Sequence, residues 1–97
     1  MSEDAIKVAS NNYKVLFEND RVRLLEYRAG PGDKTEMHSH PDVLAYAITP
    51  AKFRFTLDNG QNFESELKAG EPMWAGAMSH ATENLGSDAH VLLVELK

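Results

Sequence analysis

The chain contains no cysteine. That removes disulfides, thiolate metal sites and cysteine nucleophiles in one step, and it fits a reducing compartment, so a cytoplasmic location is expected. There is no run of Lys and Arg, and the formal net charge is −5, so no nucleic-acid partner is expected. No apolar stretch approaches the roughly 20 residues of a membrane span. The acidic opening Met1-Ser2-Glu3-Asp4-Ala5-Ile6 lacks the basic start and apolar centre of a secretion signal. No membrane partner is therefore expected. Amphipathic helical periodicity is also missing, as are a phosphate-cradling glycine loop, a dinucleotide fingerprint and a Ser-His-Asp order.

What remains is an ordinary globular composition. The 97 residues are 42% hydrophobic and 26% charged, which places the chain among folded proteins and supplies one domain rather than two. Residues 1–12 are polar and read as a loose arm or a short first strand; residues 13–97 read as a single domain. The chain then breaks into short runs separated by turn residues. These are Tyr13–Glu18, Val22–Arg28, Thr35–His40, Val43–Thr49, Lys52–Leu57, Gln61–Leu67, Pro72–Ala75, Ser79–Leu85 and Val91–Leu96. Lys52–Leu57 alternates cleanly, and Asp58-Asn59-Gly60 after it is a strong hairpin signal. Val43–Thr49 is almost continuously apolar, as expected of a strand covered on both faces. About nine strands with no helix of note predict an all-β closed barrel or jelly roll.

The residues that can carry chemistry are histidines. His38 and His40 are two apart, so in an extended backbone they share a face. An isolated pair of this kind is more often ornamental than functional. His80, in another run, changes the weighing: three imidazoles from two strands form a neutral set able to bind a divalent transition metal and leave positions open. The donor type alone does not choose among Zn, Fe, Ni, Cu and Mn. Asn84, Ser39 and Ser79 are chemically able to support the ring nitrogens.

These residues fall in two spaced motifs. Gly32, five residues and His38-Ser39-His40 form the first; Gly70, five residues, Gly76, His80 and Asn84 form the second. In this the chain resembles small single-domain cupins over about residues 20–96. The resemblance implies a jelly-roll barrel, the double-stranded β-helix, and a metal held by His38, His40 and His80. The chain departs from the usual pattern in lacking a glutamate near Leu44 or Ala45. Asp42 is the nearest acid, Gly76 stands where proline is usual, and Met78 stands where glycine is usual. The implied site is therefore of the three-histidine type. It resembles that of the β-diketone-cleaving and cysteine-dioxygenase kinds, which hold iron(II); the wording around His38-Ser39-His40-Pro41-Asp42 is also similar to cupins associated with β-alanine breakdown.

The resulting expectation is a metal-dependent enzyme of dioxygenase type acting on a small organic molecule. Fe(II) is favoured, with Ni, Zn, Mn or Cu as alternatives, and no catalytic acid or base is assigned. A non-catalytic small-ligand-binding cupin and a metal-dependent isomerase or lyase are the rival readings. Tyr46, Phe55, Trp74, Met78, Asn84 and Glu36 are candidates for the pocket wall or for supporting the ligands. His90 is expected on the surface, and Arg28 and Arg54 are expected to point outward. The small core and the resemblance together imply a homodimer.

Overall fold

The computed structural model describes residues 3–97; Met1 and Ser2 of the expected arm lie outside the described residues. Two five-stranded sheets face one another. Numbered along the chain, the first sheet runs β1 (Glu3–Asp4), β4 (His38–His40), β9 (Met78–Asn84), β6 (Ala51–Leu57) and β7 (Asn62–Leu67). The second runs β2 (Tyr13–Glu18), β3 (Val22–Ala29), β10 (Ala89–Leu96), β5 (Val43–Ala47) and β8 (Pro72–Ala75). All pairings are antiparallel except β1 with β4. Consecutive strands such as β4 and β5 lie in different sheets, so the chain winds back and forth between them as a double-stranded β-helix.

Local chemistry sets the corners. Pro41-Asp42 ends β4 and carries the chain across; Asp42 Oδ1 accepts from the Ala77 amide at 2.9 Å, and its carbonyl accepts from Leu96 at 2.8 Å. The β6–β7 hairpin closes at Gly60, whose φ of +88° is readily adopted by glycine alone. The N-terminal segment holds the strand β1 and a single helical turn, α1 (Ala5–Val8), capped by Asp4, whose Oδ2 accepts from the Ile6 amide at 3.1 Å. It is packed, not loose. Ala5 and Ala9 are buried in the core, because two small residues four apart let the turn lie close against the sheets.

Leu25, Tyr27, Phe53, Phe55, Val91 and Leu93 build that core, with alanines at Ala29, Ala45, Ala51 and Ala89. So many small inward residues leave room. A cavity of about 420 Å³ lies between the sheets. The strand Val43–Ala47 corrects one expectation: it is buried only at alternate positions, and Leu44, Tyr46 and Ile48 are exposed. Among the described residues, nothing covers this outer face of β5.

Candidate metal centre

His38, His40 and His80 are brought together by register. In the β4–β9 pair His38 sits opposite His80, and His40 shares the inward parity of His38. All three are buried, at 0%, 3% and 8% exposure. Their ring centroids are 4.8–5.2 Å apart. One ring nitrogen from each lies within 4.8 Å of the others, close enough to share an ion. Phe55 stacks on the His80 ring at 4.9 Å and fixes its plane.

The hydrogen bonds set the tautomers. His38 Nδ1 is 2.7 Å from the Glu36 carbonyl, an obligate acceptor, so that nitrogen donates and leaves Nε2 as a free lone pair. His40 Nδ1 lies 2.6 Å from Glu95 Oε2 and donates to it in the same way. Nε2 of His40 and of His80 are buried with no hydrogen-bond partner among the described residues. Tyr13 Oη, at 3.4 Å, is the contact of His38 Nε2. Burial lowers the pKa of His38, outweighing the Glu36 carbonyl bond. Burial, with His40 and His38 alongside, brings His80 down to about 3. Both rings are therefore neutral at physiological pH, the form that ligates. Buried ring nitrogens gathered within 4.8 Å of one another, two of them without a partner among the described residues, are what a divalent ion needs, so the donor set fits a metal. No carboxylate joins it among the described residues, and Asp42 is engaged with Ala77.

The opposite sheet supports this set. Glu95 is 2% exposed and is held on its other side by Arg23, with Nε at 2.8 Å and Nη2 at 2.5 Å. Arg23 also binds Asp4 through Nη1 and Nη2, which closes a chain from the N-terminal segment to the site. The Asp4 hydrogen bond heads the causes that raise the Arg23 pKa, so the guanidinium remains charged. Tyr13 is buried, and burial pushes its hydroxyl pKa well above the usual range, so it acts as a donor.

Each proposed pocket residue can now be placed. Phe55, Trp74 and Met78 line the cavity, together with His40 and His80. Tyr46 does not: it lies on the outer face of β5, because it has the parity opposite to buried Ala45 and Ala47. Asn84 is buried but structural. Its Nδ2 donates to the carbonyls of Ala29, Gly30 and Ser87, and its Oδ1 accepts from the Gly86 amide. The Glu36 side chain is exposed, and that residue serves His38 through its carbonyl instead. Ser39 and Ser79 approach each other at 3.4 Å. His90 pairs with Glu26 at 2.7 Å, away from the centre.

The cavity wall is otherwise apolar, built from residues such as Val43, Phe53, Leu57 and Met73, and the exposed Phe63 and Trp74 flank its mouth. Tyr27 and Thr82 also line it, and their hydroxyls are buried with no partner among the described residues. Glu95 and Tyr13 went unnoticed in the sequence. For Glu95 a signal existed: it shares the parity of Val91 and Leu93, the buried face of β10.

No protein-family model matches the chain, and no functionally curated protein matches it. Solved structures do. A cupin domain from Bordetella pertussis superposes with a TM-score of 0.79 at 24% identity, covering 88% of this chain and 91% of that one. The chain has the cupin fold. An RmlC-like cupin with a double-stranded β-helix from Methanocaldococcus jannaschii matches this cupin fold at TM-score 0.68 and 15% identity, over 87% and 77% of the two chains. A variant of oxalate decarboxylase from B. subtilis matches at 0.64 and 23%; the present chain spans 24% of it.

Proposed function

We propose that this cupin-fold chain is a metal-dependent enzyme of dioxygenase type, working on a small and mostly apolar organic molecule. The observation that supports this reading is the buried trio of imidazoles at an apolar cavity, with no carboxylate among them. Neutral ligands leave a bound ion its full 2+ charge, which favours anionic or enolate-type chelating substrates. When bound, the metal, with Fe(II) favoured over Ni, Zn, Mn or Cu, supplies Lewis-acid and redox chemistry. The chain supplies the rest. His38, His40 and His80 hold the ion, Glu95 and the Glu36 carbonyl orient two of the rings, and the Phe53 and Phe55 side chains exclude water from the reacting end. A cavity of about 420 Å³ suits a small molecule. Among the described residues its lining contains no Lys, Arg, Asp or Glu, so a second charged group on the substrate finds no counter-ion among them. The Tyr27 and Thr82 hydroxyls offer a neutral polar contact. The absence of cysteine supports a cytoplasmic setting.

Oxygen uptake by the iron-loaded protein over a panel of diketones, thiols and small acids tests the proposal. Uptake coupled to substrate loss, abolished in His80→Ala, is expected. Tight ligand binding without turnover would favour a non-catalytic binder, and turnover without oxygen uptake an isomerase or lyase.

A further inference from the structure

The cavity carries two polar groups that the metal centre does not use. Three hydroxyl-bearing side chains line it among the described residues: Tyr13, Tyr27 and Thr82. The Tyr13 hydroxyl meets His38 Nε2 at 3.4 Å. Those of Tyr27 and Thr82 meet no partner among the described residues, although the two residues are only 3% and 4% exposed. Thr82 is otherwise well tied. Its amide donates to Thr35 Oγ1 at 3.0 Å, and its carbonyl accepts from the Thr35 amide at 2.8 Å. The strand is thus fixed and the hydroxyl is left over.

A buried hydroxyl without a partner costs stability. Tyr27→Phe and Thr82→Val would keep nearly the same shape without that cost. The rest of the wall is in fact built largely that way, with Phe53, Phe55, Val43 and Val91. Hydroxyls kept against that alternative take their partner from what occupies the cavity.

Their positions agree. Thr82 follows His80 by two residues on β9 and shares its inward face, about 7 Å further along the strand. Tyr27 comes from the facing sheet. Its ring is 5.0 Å from that of Tyr13, which is in turn 5.3 Å from His38 and 5.6 Å from His40. Each hydroxyl residue therefore stands one step beyond the histidines, one on either sheet. Burial, with the Asp33 charge adding to it, raises the Tyr27 hydroxyl pKa well above the usual range, so that group stays protonated and donates. The Thr82 hydroxyl is a donor as well. With no cation on the wall among the described residues, a carboxylate placed here would lose its hydration uncompensated. An uncharged oxygen with free lone pairs suits both donors.

We propose that Tyr27 and Thr82 determine specificity, selecting a substrate that bears an uncharged oxygen acceptor of the ketone or ester class. That acceptor is separate from the group that meets the histidines and lies one step away from it. The inference rests on the cavity's being the substrate site, as proposed above, and is independent of which ion is bound and of oxygen chemistry. Both residues act by positioning.

Acetophenone and α-methylstyrene are the probes, since they differ only in a carbonyl oxygen against a methylene. Protein supplied with zinc, which undergoes no redox step, is titrated with each and followed by amide NMR shifts. The quantity read is the ratio of the two dissociation constants, because differences in hydration of the probes cancel between variants. Relative to wild type, that ratio should move against the ketone about fivefold or more in Tyr27→Phe and in Thr82→Val. At least about 20-fold is expected in the double variant; if that variant does not fold, the single variants decide. Thr82→Ser, which keeps the hydroxyl, should stay within about twofold of wild type. Urea midpoints of Tyr27→Phe and Thr82→Val should equal or exceed that of wild type, the opposite of what loss of a structural hydrogen bond produces. An unchanged ratio, a lowered midpoint in both single variants, or failure of either probe to bind at millimolar concentration would each overturn the proposal. An unchanged ratio beside intact substrate-dependent oxygen uptake sinks this inference alone. A shifted ratio with no uptake on any substrate sinks the dioxygenase reading alone.

Discussion

The strands that face one another across the cavity differ in character. In the first sheet β4 and β9 present His38, His40, His80, Thr82 and Asn84, a polar strip beside the apolar Phe53 and Phe55 of β6. The facing strands β5 and β10 present Val43, Ala45, Ala47, Val91 and Leu93, and among these apolar positions stands one charge, Glu95. Placement and orientation of the ligands thus come from different sources. The ladder between β4 and β9 fixes where the imidazoles stand, because His38 and His80 are partners in it. The opposite sheet fixes how His40 is turned, through a carboxylate clamped by Arg23 and, behind it, Asp4.

Removing the clamp should break this division of labour most severely. Glu95→Ala leaves a buried imidazole N–H without its acceptor and a largely buried guanidinium with Asp4 alone, and a loss of about 3–5 kcal/mol is expected in urea unfolding. Metal affinity should fall about 10- to 100-fold in the same variant, and Glu95→Gln, which keeps an acceptor, should recover part of both. Asn84→Ala sharpens the comparison from the other side. Asn84 shares its strand and its face with His80, yet it binds loop carbonyls rather than the site. About 2 kcal/mol of stability should be lost, with metal affinity, read by competition with a chromogenic chelator, changed by less than about threefold.

The smallest effect belongs to the outer end of the clamp. Asp4 is part-exposed, so Asp4→Asn should cost less than about 1 kcal/mol. Burial raises its carboxyl pKa, but the hydrogen bond and charge of Arg23 outweigh that and hold it below 3.8. A depressed carboxylate contributes stability above its unfolded pKa and loses it as the pH falls through the folded value. The stability difference between wild type and Asp4→Asn should therefore be flat near neutrality and shrink below about pH 4 in acid titrations of the unfolding midpoint.

The legible parts of the sequence were those carried by local chemistry. Alternation, turn residues and the Asp58-Asn59-Gly60 corner located the strands to within a few residues. Spacing also brought forward His38, His40 and His80 before any geometry was known. Contacts made across the sheets were not legible. Glu95 reaches His40 over 55 residues of chain, and no local pattern states which strand faces which. The sequence offers Glu36 as a carboxylate, whereas the fold uses its carbonyl, a distinction that only backbone geometry makes. An apolar run on both faces of β5 hides the parity of Tyr46 in the sequence; the exposure of the outer residues reveals it.

The central claim is that three neutral histidines hold one metal ion. Elemental analysis of protein purified without an affinity tag tests it most directly, run beside single His→Ala variants at 38, 40 and 80 and the triple variant. About one divalent transition-metal ion per chain is expected in the wild type, with a large loss in each single variant and none bound in the triple variant, all with an unchanged β-sheet spectrum. Equal metal content in the wild type and the triple variant would contradict it.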